Sequence, residues 1–313
     1  MSRIIKMIAN AFIGSWVARN NHSKDLSFNP TPIKGMFELL KRMKGDTDTR
    51  EFYGYPIFIL SAGWRSGSTL LQRLIMSDRS VLIWGEPFDH CNLVPSLMSG
   101  LSAFLPDWPP DEYFLRSQEQ HVLQQNWVAN LYPSLGDLKS AHRAFIQRLF
   151  QTPAEKYGVS RWGVKEVRWG IEEAQYLHWL FPDARFLFLY RNPYEAYRSY
   201  RKKRGKWYLS WPNAPIFTPT AFGCVWATLT KGFISGANTI GAKVISYENL
   251  ISGKVSLDEI SAYLGSHINP DILNISIGGA KAIDETDIDI TFLDKYLLRR
   301  VVGPLAKSLG YYG

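Results

Sequence analysis

Cysteine is nearly missing from this chain. Only Cys91 and Cys224 occur in 313 residues, too few for a disulfide framework, and neither belongs to a C-x-x-C pair that would suggest zinc. A reduced compartment and a single bridge both stay open. Histidine is sparse as well, and His22, His121, His142, His178 and His267 share no ligand-like spacing. Long apolar runs are lacking. The stretch from Ile4 to Val17 covers 14 positions and is broken by Lys6 and Asn10, whereas a membrane-spanning helix needs about 20 residues. No small-residue cleavage site follows it. It reads as an amphipathic arm packed on the body, with a membrane surface as the other resting place, so a cytoplasmic location is expected, with peripheral membrane contact through the arm as the remaining option. There is no internal repeat and no low-complexity tract. Acidic residues are in deficit, 28 against 36 basic, for a net charge of +8. That balance favours an anionic partner: a nucleotide, an acidic glycan, nucleic acid or a membrane surface. Hydrophobic residues at 46% and charged residues at 20% exclude wholesale disorder.

What is present alternates between strand and helix signals. Residues 1–50 form a basic, partly helical arm, and Lys44 to Thr49 make the natural hinge to a body at 51–313. Strands are expected at 57–62, 81–84, 162–167, 185–190 and 243–247. Ile171 to Phe181 has helical periodicity, as do the residues up to about 150 and those after Tyr194. Asn192 suits an N-cap, Pro193 the first helical position, and Glu195 a capping-box partner. Ser256-Leu-Asp-Glu259 repeats the capping pattern. Two Pro/Trp-rich segments, 99–113 and 205–223, read as long surface loops, and a closing helix from Phe292 to Leu309 is expected to break near Gly303-Pro304. Strands spaced by helices in this way imply an α/β fold with a mainly parallel sheet.

The first unit carries the strongest chemical signal. Between the 57–62 run and the helix marked by Leu70, Leu71, Leu74 and Ile75 lies Gly63-Trp-Arg-Ser-Gly67-Ser-Thr. A Gly/Ser loop entering a helix offers unpaired backbone N–H groups at the positive end of the helix dipole, where an anion can accept them. The triphosphate-binding pattern G-x-x-x-x-G-K-[ST] is not met: Ser68 stands at the lysine position and Ala62 at the first glycine. The loop cation is Arg65 instead.

Four features fall near the carboxyl ends of expected strands, where open α/β sheets bind ligands. They are the loop at 63–69, Glu86 in WGEPF, Lys165 in GVKEVRW, and Arg191 with Ser199 eight residues on. Together, across roughly residues 55–250, they resemble the sulfotransferases that use 3'-phosphoadenosine 5'-phosphosulfate, most closely the carbohydrate and tyrosylprotein branch. The resemblance implies a P-loop sulfotransferase-like central parallel sheet flanked by helices, with the N-terminal helical arm outside it. It implies that Arg65, Ser66, Gly67, Ser68 and Thr69 hold the 5'-phosphosulfate, and that Arg191 and Ser199 grip the 3'-phosphate. Glu86 would take the acceptor proton, and Lys165 would reach the transferring sulfuryl group. Tyr247-Glu248-Asn249 resembles the family's Tyr-Glu-Asp segment with Asn for Asp, and Leu309-Gly310-Tyr311 resembles an ending common in the carbohydrate branch. No metal is expected, because Arg65 and Lys165 cover the charge of the group in transfer.

Alternatives stay open beside these roles. Glu166 and His90 are competing bases. Arg191 could pair with Glu195 at a helix end. The cluster Arg198, Arg201, Lys202, Lys203, Arg204 and Lys206 reads as a solvated helix face or as part of an electrostatic funnel. Trp84, Trp108, Trp207, Tyr208 and Trp211 suit either the core or stacking on a ligand. The implied partner is a hydroxyl-bearing acceptor, namely a carbohydrate, glycolipid, peptide tyrosine or small alcohol, and not nucleic acid. A P-loop kinase and a non-catalytic basic glycan- or nucleic-acid-binding protein are the rival readings.

Overall fold

All five expected strands form, and all run parallel. A computed structural model describes residues 55–88, 92–115, 124–125, 128–202, 216, 218–275 and 290–312. The arm at 1–50, the residues His90, Cys91, His121, Lys203, Arg204 and Lys206, and most of segment 205–223, with Trp207, Tyr208 and Trp211, lie outside the described residues. Cys224 is a free thiol.

The order along the chain is β1 (Ile57–Ser61), α1 (Ser68–Ile75), β2 (Val81–Gly85), α2 (Leu93–Ser99), α3 (Leu135–Ile146), α4 (Thr152–Lys156), β3 (Arg161–Glu166), α5 (Ile171–Leu180), β4 (Arg185–Tyr190) and α6 (Pro193–Lys202). It continues with α7 (Pro219–Gly236), β5 (Lys243–Ser246), α8 (Tyr247–Ile251), α9 (Leu257–Leu264) and α10 (Phe292–Ser308). In the sheet the order is β2-β3-β1-β4-β5. The chain passes from β1 to the edge strand β2, returns to β3 beside β1, and then crosses to β4 and β5 on the other side, so the crevice beyond the carboxyl end of β1 is the topological switch point.

Between their polar or charged end residues the strands are apolar, because both faces are covered. Ile57, Ile59, Ile83, Leu187, Leu189 and Ile245 pack under α1 and α9, against Leu71, Leu74, Ile75, Ile260 and Leu264. On the opposite face Phe58, Leu60, Val164, Phe186 and Phe188 pack under α5, α7 and α10, against Leu177, Trp226, Phe233, Leu298 and Val302. Each such side chain contributes roughly 1.5–3 kcal/mol by leaving water.

Three expectations need correction. The surface loop expected through Gly223 ends sooner: Thr218 caps α7 by accepting from the Ala221 N–H at 3.1 Å, and Pro219, Ala221, Phe222 and Gly223 are buried. The closing helix does not break at Gly303-Pro304, since α10 runs through both, packed against α7. At α6 the capping box is only half made. Asn192 Oδ1 accepts from the Tyr194 N–H at 3.0 Å, but Glu195 turns to Arg198 at 2.6 Å, and the Asn192 N–H goes to Glu248 at 2.9 Å. Arg201 of the same helix pairs with Asp294 of α10. The basic face is thus partly neutralised rather than simply solvated.

Candidate active site

Every strand delivers one part of the site at its carboxyl end. The loop at 63–67 follows β1, Glu86 follows β2, Lys165 and Glu166 close β3, Arg191 follows β4 and Tyr247 follows β5. Since β1 lies between β3 and β4, the loop leaving it stands between Lys165 on one side and Arg191 on the other.

The loop is shaped by short-range geometry. Gly63 and Gly67 have φ of 81° and 89°, and Arg65 adopts 63°. The buried Ser66 hydroxyl donates back to the Gly63 carbonyl at 3.0 Å. Leu70 and Leu71 begin the helical ladder by donating to the Gly67 carbonyl at 3.0 and 3.2 Å. The N–H groups of Ser68 and Thr69 therefore precede the first intrahelical bonds and face the open end of α1. Thr69, whose hydroxyl is expected at the phosphate, is exposed, whereas Ser68, expected to contribute its backbone, is buried. Trp64 anchors the loop from below, packing on Tyr200 of α6 with ring centroids 6.0 Å apart.

Arg65 turns toward α6, and its Nε donates to Ser199 Oγ at 3.0 Å. Arg191 Nη1 donates to the Arg65 carbonyl at 3.2 Å, and its guanidinium lies over the Tyr247 ring at 4.5 Å. The Arg191 carbonyl accepts from Trp226 Nε1 at 2.9 Å. The Arg65, Arg191 and Ser199 side chains, far apart in sequence, thus form one cluster. The Arg65 guanidinium is held below its ordinary basicity by burial first and by the neighbouring Arg191 charge second. Among the described residues no carboxylate pairs with Arg65. Two adjacent guanidinium groups, a helix N-terminus and two hydroxyls form a donor set that a multiply charged anion completes.

The second cluster is Glu86 with Lys165. Glu86 has φ of 36°, a costly conformation for a residue with a side chain. Its N–H donates to the Lys165 carbonyl at 2.7 Å, and its Oε1 pairs with Lys165 Nζ. The ammonium is almost fully buried and the carboxylate is about a quarter exposed, at 6% and 28%. Glu86 therefore faces solvent while Lys165 backs it. Gln72 of α1 braces the same strand end through a 2.8 Å bond from Nε2 to the Ile83 carbonyl.

Glu166 fares differently, although it is the next residue. Register places Lys165 beside Ile59 and Glu166 beside Leu60, so the pleat sends them to opposite faces of the sheet. Glu166 is fully buried, accepting from the Val167 N–H at 2.8 Å and from Arg168 at 2.8 and 2.6 Å. Burial pushes its pKa up, against the pull of Arg168. Its hydrogen-bonding capacity is spent on holding the strand end. Glu195 does not pair with Arg191, being bonded to Arg198 instead. Trp84 is likewise structural in part, donating from Nε1 to the Phe150 carbonyl at 3.0 Å. Trp108 is 44% exposed and meets Tyr113 edge-on.

Glu248 was missed as a site residue. Its carboxylate bridges the Asn192 N–H at 2.9 Å and the Tyr311 hydroxyl at 2.6 Å. Only the likeness of the Tyr-Glu-Asn segment marked it in the sequence, and no role attached to it there.

A model of the sulfotransferase family matches residues 56–252, well over half of the chain. No curated protein matches it. Among solved structures, the sulfotransferase domain of the Synechococcus PCC 7002 olefin synthase is 19% identical, with 86% of this chain and 100% of that one covered and a TM-score of 0.45. The sulfotransferase domain from the curacin biosynthetic pathway is 17% identical, covering 84% and 99%, at a TM-score of 0.45. A sulfotransferase from Alicyclobacillus acidocaldarius is 14% identical, covering 83% and 98%, at 0.40. Among the described residues no helix is long and apolar enough to cross a membrane, and no group of three or more His, Cys, Asp or Glu could hold a metal ion.

Proposed function

The chain belongs to the sulfotransferase family, and we propose that it moves the sulfuryl group of 3'-phosphoadenosine 5'-phosphosulfate onto the hydroxyl of a carbohydrate or glycolipid. The nucleotide, when bound, supplies an activated sulfuryl group on a phosphate leaving group. The observation that carries this reading is the Arg65, Arg191 and Ser199 cluster, which joins the β1 loop to α6 and to the residue that follows β4 and leaves Arg65 without a carboxylate partner among the described residues. Arg65, Thr69 and the open N–H groups of α1 would bind the 5' end. Arg191 and Ser199 would bind the 3'-phosphate, which ATP lacks.

Glu86 acts as the general base. One carboxylate oxygen is held by Lys165, and the other has no partner among the described residues, so it is available to take the acceptor proton as the hydroxyl attacks. Lys165 and Arg65 set fixed positive charge where negative charge builds during transfer. Most of the rate gain then comes from positioning and preorganised charge. The body at 51–313 is the catalytic domain in this reading. Segment 99–113 offers a wall for the acceptor, and the arm at 1–50 offers the membrane contact.

Thermal denaturation with 3'-phosphoadenosine 5'-phosphate, ATP and AMP tests the nucleotide. A ligand that binds only the folded chain raises the melting temperature. The 3'-phosphorylated nucleotide should do so and ATP should not; the reverse pattern would replace this reading with a P-loop kinase. Transfer of labelled sulfate onto glycolipids, polysaccharides, peptides and small alcohols tests the acceptor, and labelling of peptides alone would exclude the carbohydrate class.

A further inference from the structure

The segment after α10 reaches the site. Gly310, at φ 81°, turns the backbone after α10, and the Tyr311 N–H donates back to the Ala306 carbonyl at 2.9 Å. This turn swings the Tyr311 ring edge-on to Tyr190, the last residue of β4, with centroids 6.3 Å apart. The Tyr311 hydroxyl donates to Glu248 Oε2 at 2.6 Å, and Glu248 Oε1 accepts from the Asn192 N–H at 2.9 Å. Asn192 immediately follows Arg191 and caps α6 through the Tyr194 N–H. Tyr247, next to Glu248, carries the Arg191 guanidinium on its ring. A single dipeptide, Tyr247-Glu248, therefore grips Arg191 by its side chain and its following amide.

We infer that Glu248 and Tyr311 are positioning residues for the 3'-phosphate subsite, resting on the functional reading above. Tyr311 orients the Glu248 carboxylate so that one oxygen is aimed at the Asn192 amide. That bond fixes the start of α6, and with it the spacing between Arg191 and Ser199. Neither residue touches the nucleotide. Burial and the Glu248 charge push the Tyr311 phenol well up, so it stays a donor across the working pH range.

The consequence is selective. Loosening the relay should weaken recognition of the 3'-phosphate and spare the 5' end, which the β1 loop holds. Calorimetric titration with 3'-phosphoadenosine 5'-phosphate and with adenosine 5'-phosphosulfate, which lacks the 3'-phosphate, separates the two. Tyr311→Phe and Glu248→Ala should each lower affinity for the first by about tenfold, the loss expected for one charge-assisted hydrogen bond. Affinity for the second should stay within about twofold. Glu248→Gln should restore most of the loss, because its amide can accept from Asn192 and donate to the Tyr311 oxygen. Equal losses for both nucleotides, or no loss for either, would overturn the inference. Failure of the unaltered chain to bind the 3'-phosphorylated nucleotide would instead overturn the functional reading and take the inference with it.

Discussion

Glu86 and Glu166 sit at the ends of adjacent strands, and their surroundings assign them different work. Glu86 keeps one carboxylate oxygen without a partner among the described residues, and a quarter of its side chain is open. Glu166 is enclosed and bonded to Arg168 and the Val167 amide. Glu86→Gln leaves the nearly buried Lys165 without its charged partner and so should lose some stability, but it should still bind nucleotide while transferring sulfate roughly 10²–10⁴-fold more slowly, the usual worth of a general base. Glu166→Gln should also lose stability, by about 3 kcal/mol, because a charged partner of Arg168 is removed in a buried setting, but the folded variant should keep its transfer rate. Steady-state transfer rates and denaturant unfolding on the two variants distinguish the roles. Full turnover in Glu86→Gln would move the base elsewhere. The sequence could name both carboxylates as candidates, but not choose. The choice depends on strand register, which puts consecutive residues on opposite faces, and register is set by pairings more than a hundred residues apart.

At the scale of elements, the loop and α1 depend on one glycine for two separate reasons. Gly67 has φ of 89°, and a Cβ there would lie 2.2 Å from the Tyr247 ring. Left-handed backbone costs a residue with a side chain about 1–3 kcal/mol, and forced overlap about 1–3 kcal/mol more. Gly67→Ala should thus lose both stability and nucleotide binding. The two causes separate in a double-mutant cycle: in a Tyr247→Ala background the overlap disappears and only the backbone cost remains, so Gly67→Ala should cost less there. An identical cost in both backgrounds, measured by urea unfolding, would mean that Tyr247 does not press on the loop. The same packing logic explains why α7 went unread. Gly223, Gly232 and Gly236 weaken any helical signal in the sequence, yet they are what lets the helix approach its neighbours. A Cβ at Gly236 would meet Ile171 of α5 at 2.3 Å, and one at Gly223 would meet Leu298 of α10 at 3.0 Å. Local propensity opposed the helix, and tertiary contact decided it.

For the whole molecule, continuous apolar runs made β1, β2 and β4 legible, because a strand buried on both faces carries its signature locally, while the parallel class was legible in the spacing of strands by helices. The resemblance brought Arg65 forward for the 5' end and Arg191 with Ser199 for the 3'-phosphate, but not the direct contact of Arg65 with Ser199. The Tyr311 to Glu248 to Asn192 relay was not legible, since it joins three segments with no common pattern. Nor was the burial of Glu173, which reads as an ordinary polar position in the first turn of α5. It is 2% exposed, and its Oε2 accepts from the Gly170 N–H at 2.7 Å. Burial is the largest influence on this carboxyl and outweighs the Gly170 bond, and the nearby Glu172 and Glu166 add to it, raising the pKa from 4.5 to about 7. Between those values the folded chain retains a proton that the unfolded chain releases. The contribution of Glu173 to stability is therefore fully present below pH 4.5 and is lost as pH rises through about 7. Glu173→Gln keeps an acceptor for Gly170 and never charges. Its stability should match that of the unaltered chain near pH 4.5 and exceed it at pH 8, by on the order of 3 kcal/mol. Urea unfolding of both proteins from pH 4.5 to 8 measures this directly. A difference that does not change with pH would show that Glu173 is ionised in the fold, with its charge stabilised by the open end of α5 rather than suppressed by burial.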